Sequence, residues 1–181
     1  MATTTVSAPP ERKGAVTFKG NPLTLIGPEI RPGMNAPGFQ VLAQDLSPVT
    51  LANSAGKVRL LVAVPSLDTP VCDQETRRFN EEAATLSKDV QILAISMDLP
   101  FAQKRWCGAA GIDRVQVLSD HRDASFGAAY GVLIKELRIL ARAVFVVDRA
   151  GTVRYAEYVP DITSHPQYDA ALAAVRQAAG S

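Results

Sequence analysis

Apolar residues along the chain fall into two kinds of run. Arg59–Val64, Val90–Ser96 and Arg142–Val147 are nearly unbroken apolar stretches, the pattern of strands covered on both faces. Val115–Leu118 adds a fourth, shorter strand. Between them the period lengthens. Cys72, Thr76, Phe79, Ala83 and Leu86 recur at alternating steps of four and three, which is one helix face, and predict a helix over Val71–Ser87. Pro100–Cys107 predicts a short helix with Asp98 near its start and Gly108 at its end, and Ala124–Tyr130 predicts another. Val153–Val159 pairs with Arg142–Val147 through the turn Asp148-Arg149-Ala150-Gly151. Pro166–Ala178 is a terminal helix with Tyr168, Leu172 and Val175 on its inner face. Upstream, Ala15–Lys19 and Leu23–Ile26 flank Gly20-Asn21-Pro22 as a hairpin. Gly27–Pro37 is a connector, and Phe39–Ala43 and Val49–Leu51 are short strands.

In order, these elements make a β-α-β-α core, a second hairpin and a last helix. That order predicts an α/β fold of the thioredoxin-like kind: a central mixed sheet flanked by helices, with an N-terminal β-hairpin. The 181 residues suit one domain, set over residues 15–181, behind a flexible Thr/Ser/Pro-rich arm at residues 1–14. Apolar residues make up 47% and charged residues 20%, an ordinary globular composition. Lys and Arg number 19 against 18 Asp and Glu, so no basic excess points to nucleic acid or a membrane surface. No apolar run approaches the ~20 residues of a membrane span. The first residues carry no apolar core of a secretory signal, and a cytoplasmic protein is expected.

Two cysteines are too few for a disulfide scaffold. Cys72 follows the strand Arg59–Val64, at the carboxyl end where α/β sheets gather ligand sites. Pro70 suits the first helical turn and Thr69 the N-cap, which puts Cys72 at the third helical position. Free N–H groups and the positive end of the helix dipole favour a thiolate there. A small buried residue suits the same place, so position alone leaves both readings open. Cys107 shares a side of its short helix with Gln103 and Lys104, while Ala102 and Trp106 mark a separate apolar stripe. That placement argues against core packing, though an incidental surface thiol also fits.

The pattern Pro65-x-x-x-Thr69-x-x-Cys72 resembles the peroxiredoxin active-site signature. Two further blocks narrow the likeness. Ser66-Leu67-Asp68-Thr69-Pro70-Val71-Cys72 and Asp98-Leu99-Pro100-Phe101-Ala102-Gln103-Lys104-Arg105-Trp106-Cys107-Gly108 resemble the bacterial thiol peroxidase branch, the atypical two-cysteine peroxiredoxins. Leu140-Ala141-Arg142-Ala143 and Lys19-Gly20-Asn21-Pro22 match as well, and the likeness runs over about residues 15–178. It departs at Gly131–Leu140, where Val132-Leu133-Ile134-Lys135-Glu136-Leu137-Arg138 replaces a longer Gly/Asp/Pro loop, and in the longer arm before residue 14.

The resemblance implies an enzyme that reduces hydrogen peroxide and organic hydroperoxides without a cofactor or metal. Cys72 would be the peroxidatic cysteine and form a sulfenic acid, and Cys107 the resolving cysteine that condenses with it to an intramolecular disulfide. Thioredoxin would reduce that bond. Arg142 would stabilise the thiolate, Thr69 would hydrogen-bond peroxide and thiolate, and Pro65 would shield the site from water. It also implies a homodimer, to which Leu137, Ile139 and Leu140 would lend an apolar contact. On residue chemistry alone Arg142 also reads as an edge arginine reaching solvent, Thr69 as a plain cap and Asp68 as a turn residue. The two cysteines and the two histidines, His121 and His165, lack metal-ligand spacing. A non-enzymatic redox sensor on the same fold stays open.

Overall fold

The computed structural model describes residues 7–180. Its centre is a seven-stranded mixed sheet in the order β10-β9-β5-β6-β7-β3-β4. The strands are β3 (Gln40–Leu42), β4 (Pro48–Thr50), β5 (Val58–Ala63), β6 (Val90–Ser96), β7 (Val115–Ser119), β9 (Ala143–Val147) and β10 (Val153–Tyr158). β5, β6 and β7 run parallel, whereas β9 runs antiparallel to β5. A second, three-stranded sheet holds β1 (Glu11–Phe18), β2 (Asn21–Ile26) and β8 (Leu133–Ile134).

Why β5 reads as continuously apolar is plain from its two faces. Leu61 and Ala63 enter one core with Leu25, Phe126, Tyr130 and Phe145, beneath the N-terminal hairpin and α3 (Ser125–Ala129). Leu60 and Val62 enter the other with Phe79, Leu172 and Val175, beneath α1 (Pro70–Ala83), α2 (Pro100–Ala110) and α4 (Tyr168–Ala179). The thioredoxin-like α/β arrangement expected from the element order, with its N-terminal hairpin, is the one observed.

Several local expectations need correction. β1 already begins at Glu11, with Glu11 opposite Ile26, so residues 11–14 are strand and not arm; residues 1–6 lie outside the described residues. α1 ends at Ala83, four residues early. α2 runs through Gly108 to Ala110 and is closed by Gly111 in the left-handed region (φ 67°). β8 was not foreseen, because a two-residue strand carries no period. It joins the Gly131–Leu140 segment to the hairpin, with Leu25 opposite Ile134. Gly131 is required there: at φ 64°, a Cβ would fall 2.0 Å from the Pro28 carbonyl oxygen.

Candidate active site

The β5–α1 junction places the first group. Thr69 is the N-cap residue in extended conformation and Pro70 opens α1, as the sequence predicts, so Cys72 stands at the third helical position. Cys72 is completely buried, whereas Thr69 and Pro70 above it are exposed. The Thr69 hydroxyl does not cap a backbone N–H. It lies 2.7 Å from Cys72 Sγ and 2.9 Å from the Ser66 carbonyl oxygen, so its one proton serves the sulfur or the loop.

Arg142 immediately precedes β9, and β9 pairs with β5 so that Ala143 faces Ala63. That register brings the guanidinium over the start of α1. Nη2 donates to Cys72 Sγ at 3.2 Å and to Ile162 O at 2.9 Å; Nε donates to Ile162 O at 3.2 Å. Nη1 forms an ion pair with Glu75, one helical turn beyond Cys72. Arg142 is therefore a buried cation, not an edge arginine reaching solvent. A buried guanidinium needs an anion, and Glu75 is one. Burial works against the Arg142 charge, but Glu75 and Cys72 outweigh it and raise its pKa. Glu75 is fully buried, and burial pushes its carboxyl up to about 7 even though Arg142 pulls it down. Cys72 Sγ thus faces a fixed cation and a hydroxyl group.

A cavity of about 260 Å³ opens beside this cluster, lined by Pro65, Thr69, Val71, Arg142, Ile162 and Phe18 among others. Leu137 and Ile139 complete its rim, so the altered 131–140 segment does shape the mouth. Leu140 does not share that role. It is fully buried in the core and cannot contribute to a surface contact.

Cys107 lies elsewhere on the same core. It is free, as is Cys72, and it is buried together with Gln103 and Pro100. The expectation of a polar, outward face is therefore reversed: Gln103 and Cys107 face inward, while Ala102 and Trp106 are only half-buried. The Gln44 side-chain amide, from the β3–β4 turn, donates to Cys107 Sγ at 3.2 Å. Burial pushes the Cys107 thiol up, and the Gln44 contact pulls partly back. Trp106 Nε1 donates to Asp73 Oδ1 at 3.0 Å, which ties α2 to the residue after Cys72.

The Redoxin family profile matches residues 31–172. A thiol peroxidase of Halalkalibacterium halodurans is 60% identical over 91% of this chain and 98% of its own. A thiol peroxidase of Bacillus subtilis is 58% identical over 89% of this chain and 96% of its own. The crystal structure of a peroxiredoxin-like protein from Aquifex aeolicus superposes with a TM-score of 0.85 at 43% identity, covering 92% of this chain and 99% of that one. The chain belongs to the Redoxin family, in its thiol peroxidase branch. It is an enzyme of the peroxiredoxin type.

In this redoxin the residues singled out from sequence divide into two groups. Thr69, Arg142 and Pro65 line one cavity, and the buried Cys72 sulfur is held against the first two, whereas Cys107 sits apart on α2. Sequence reasoning missed Glu75, whose only signal was a charge on the inward face of α1, next to Thr76 and Phe79. It also missed Gln44, a polar residue in a turn with nothing in its surroundings to mark it.

Proposed function

We propose that this redoxin reduces hydrogen peroxide and organic hydroperoxides by the cycle its two cysteines allow. Cys72 as thiolate attacks the terminal peroxide oxygen. The O–O bond breaks, the sulfur takes the terminal OH as a sulfenic acid, and the alkoxide or hydroxide leaves and takes up a proton from water. The Cys107 thiol then displaces that hydroxyl as water, forming an intramolecular disulfide. Thioredoxin, as external dithiol, returns both sulfurs to thiols by exchange. Pro65 walls the cavity, Thr69 donates to the sulfur or the peroxide, and Arg142 neutralises charge developing on both.

The observation that carries this reading is the Cys72 sulfur held between the Thr69 hydroxyl and the Arg142 guanidinium, itself locked by Glu75 and Ile162. No helix among the described residues is long and apolar enough to cross a membrane, which is compatible with the proposed cytoplasmic setting. A homodimer belongs to the same proposal, with Leu137 as the exposed large apolar side chain of the 131–140 segment. Peroxide consumption with thioredoxin and its reductase tests the cycle. Sustained turnover that disappears in Cys72→Ser supports it. Consumption of one equivalent and no more would leave a sensor instead of an enzyme.

A further inference from the structure

One chain of hydrogen bonds ties the loop that leads into the Cys72 helix to the helix that carries Cys107. Asp98, between β6 and α2, accepts the Ser66 hydroxyl at Oδ1 (2.7 Å) and the Leu67 N–H at Oδ2 (2.9 Å). The same Oδ2 accepts the Ser96 hydroxyl at 2.7 Å. Ser96 Oγ accepts the Gln103 side-chain amide at 3.1 Å, and that amide also donates to Leu118 O at 2.8 Å. Gln103 stands one helical turn before Cys107 and is completely buried, as Ser96 nearly is. Its Oε1 is buried with no hydrogen-bond partner. An orphaned acceptor of this kind regains water when its segment opens, so the closed arrangement is held by the donors alone.

The sulfurs have to travel to meet. Cys72 is held by Arg142 at the start of β9, and Cys107 by Gln44 just beyond β3. Both thiols are free and buried, and each has partners of its own, Thr69 and Arg142 for Cys72 and Gln44 for Cys107. The sulfurs must leave these partners to bond to one another, and the Asp98 chain resists that movement.

We propose that Asp98 is a positioning residue that latches the loop before the Cys72 helix to the base of the Cys107 helix while peroxide reacts, and that release of this latch sets the rate of disulfide formation. The inference rests on the disulfide cycle proposed above. Asp98 makes no hydrogen bond to either sulfur, Thr69, Arg142 or Glu75, so weakening it leaves the first chemical step in place. Asp98→Asn sets an NH₂ group against donors that now meet a carboxylate. Charge-assisted bonds are lost from the closed state only, and opening becomes easier.

Rapid-quench mass spectrometry of the full chain, after one equivalent of peroxide, separates sulfenic acid, disulfide and sulfinic acid. Trp106, the only tryptophan, follows α2 by fluorescence in the same experiment. Asp98→Asn is expected to form sulfenic acid at the wild-type rate and disulfide about tenfold faster. Less sulfinic acid should then accumulate at high peroxide. Ser66→Ala deletes one hydroxyl, keeps the fold, and should move the partition the same way by a smaller factor. The double variant should not exceed Asp98→Asn alone, since both act through one contact. A merely structural role would lower the melting temperature without shifting this partition. If Asp98→Asn does not fold, Ser66→Ala decides. Disulfide formation at or below the wild-type rate in the folded variants overturns the latch. A wild type that forms no disulfide overturns the cycle itself, and the latch with it.

Discussion

Arg142 and Cys72 stand 70 residues apart in the chain, and the guanidinium Nη2 lies 3.2 Å from the Cys72 sulfur. One buried cation therefore faces two groups that can carry negative charge, Cys72 and Glu75, and Ile162 O fixes its remaining donors. In the proposed cycle this arrangement is assembled before peroxide arrives, so little reorganisation is left for the reaction itself.

Arg142→Gln should slow sulfenic acid formation by about 100-fold, the scale for losing one preorganised charge-stabilising group. It should also destabilise the fold by roughly 3–5 kcal/mol, because Glu75 is left buried without its cation. Stopped-flow peroxide kinetics and urea unfolding measure the two effects separately. A wild-type rate of sulfenic acid formation would make Arg142 a structural residue only.

The Glu75 carboxyl gives a pH dependence. Burial raises its pKa from 4.5 to about 7 in the folded chain, with Arg142 opposing. Between those values the folded state holds a proton that the unfolded state has lost. The stability this group contributes is full below about pH 4.5 and is lost as pH rises through about 7. Glu75→Gln should remove that decline. Unfolding free energies of both proteins from pH 4.5 to 8 test it, and parallel profiles would contradict it.

What the sequence disclosed follows the range of the interactions. Cys72 at a helix start is legible because Pro70 and Thr69 sit two and three residues away. The buried strands are legible because both faces of β5 are apolar. Glu75 and Arg142 are 67 residues apart, and only the β5–β9 register brings them together. Periodicity grouped Gln103 with Cys107 correctly but assigned the pair to the wrong side. A helix period says which residues share a face, not which face is covered. Gln103 is inside where Leu118 O and Ser96 Oγ accept from its NH₂ group, and neither is visible from α2 alone.

Gln44→Leu should leave sulfenic acid formation unchanged and speed disulfide formation a few-fold, because Cys107 gives up its Gln44 contact before it reaches Cys72. Rapid-quench mass spectrometry measures both steps. A slower disulfide step would mean that Gln44 still holds Cys107 in the reacting geometry.

Cys107→Ser should consume one equivalent of peroxide and hold a Cys72 sulfenic acid long enough for dimedone to trap it. Turnover with thioredoxin should fall steeply, and sulfinic acid should accumulate at high peroxide. Steady turnover at the wild-type rate would show that Cys107 does not resolve the sulfenic acid.

The pairing of the two sulfurs is the central claim, and non-reducing mass spectrometry of the protein after one equivalent of peroxide addresses it most directly. The predicted product is a monomer two hydrogens lighter than the reduced chain, with the Cys72 and Cys107 peptides joined after digestion. A disulfide-linked dimer, or a monomer carrying oxidised Cys72 beside a free Cys107 thiol, would contradict it.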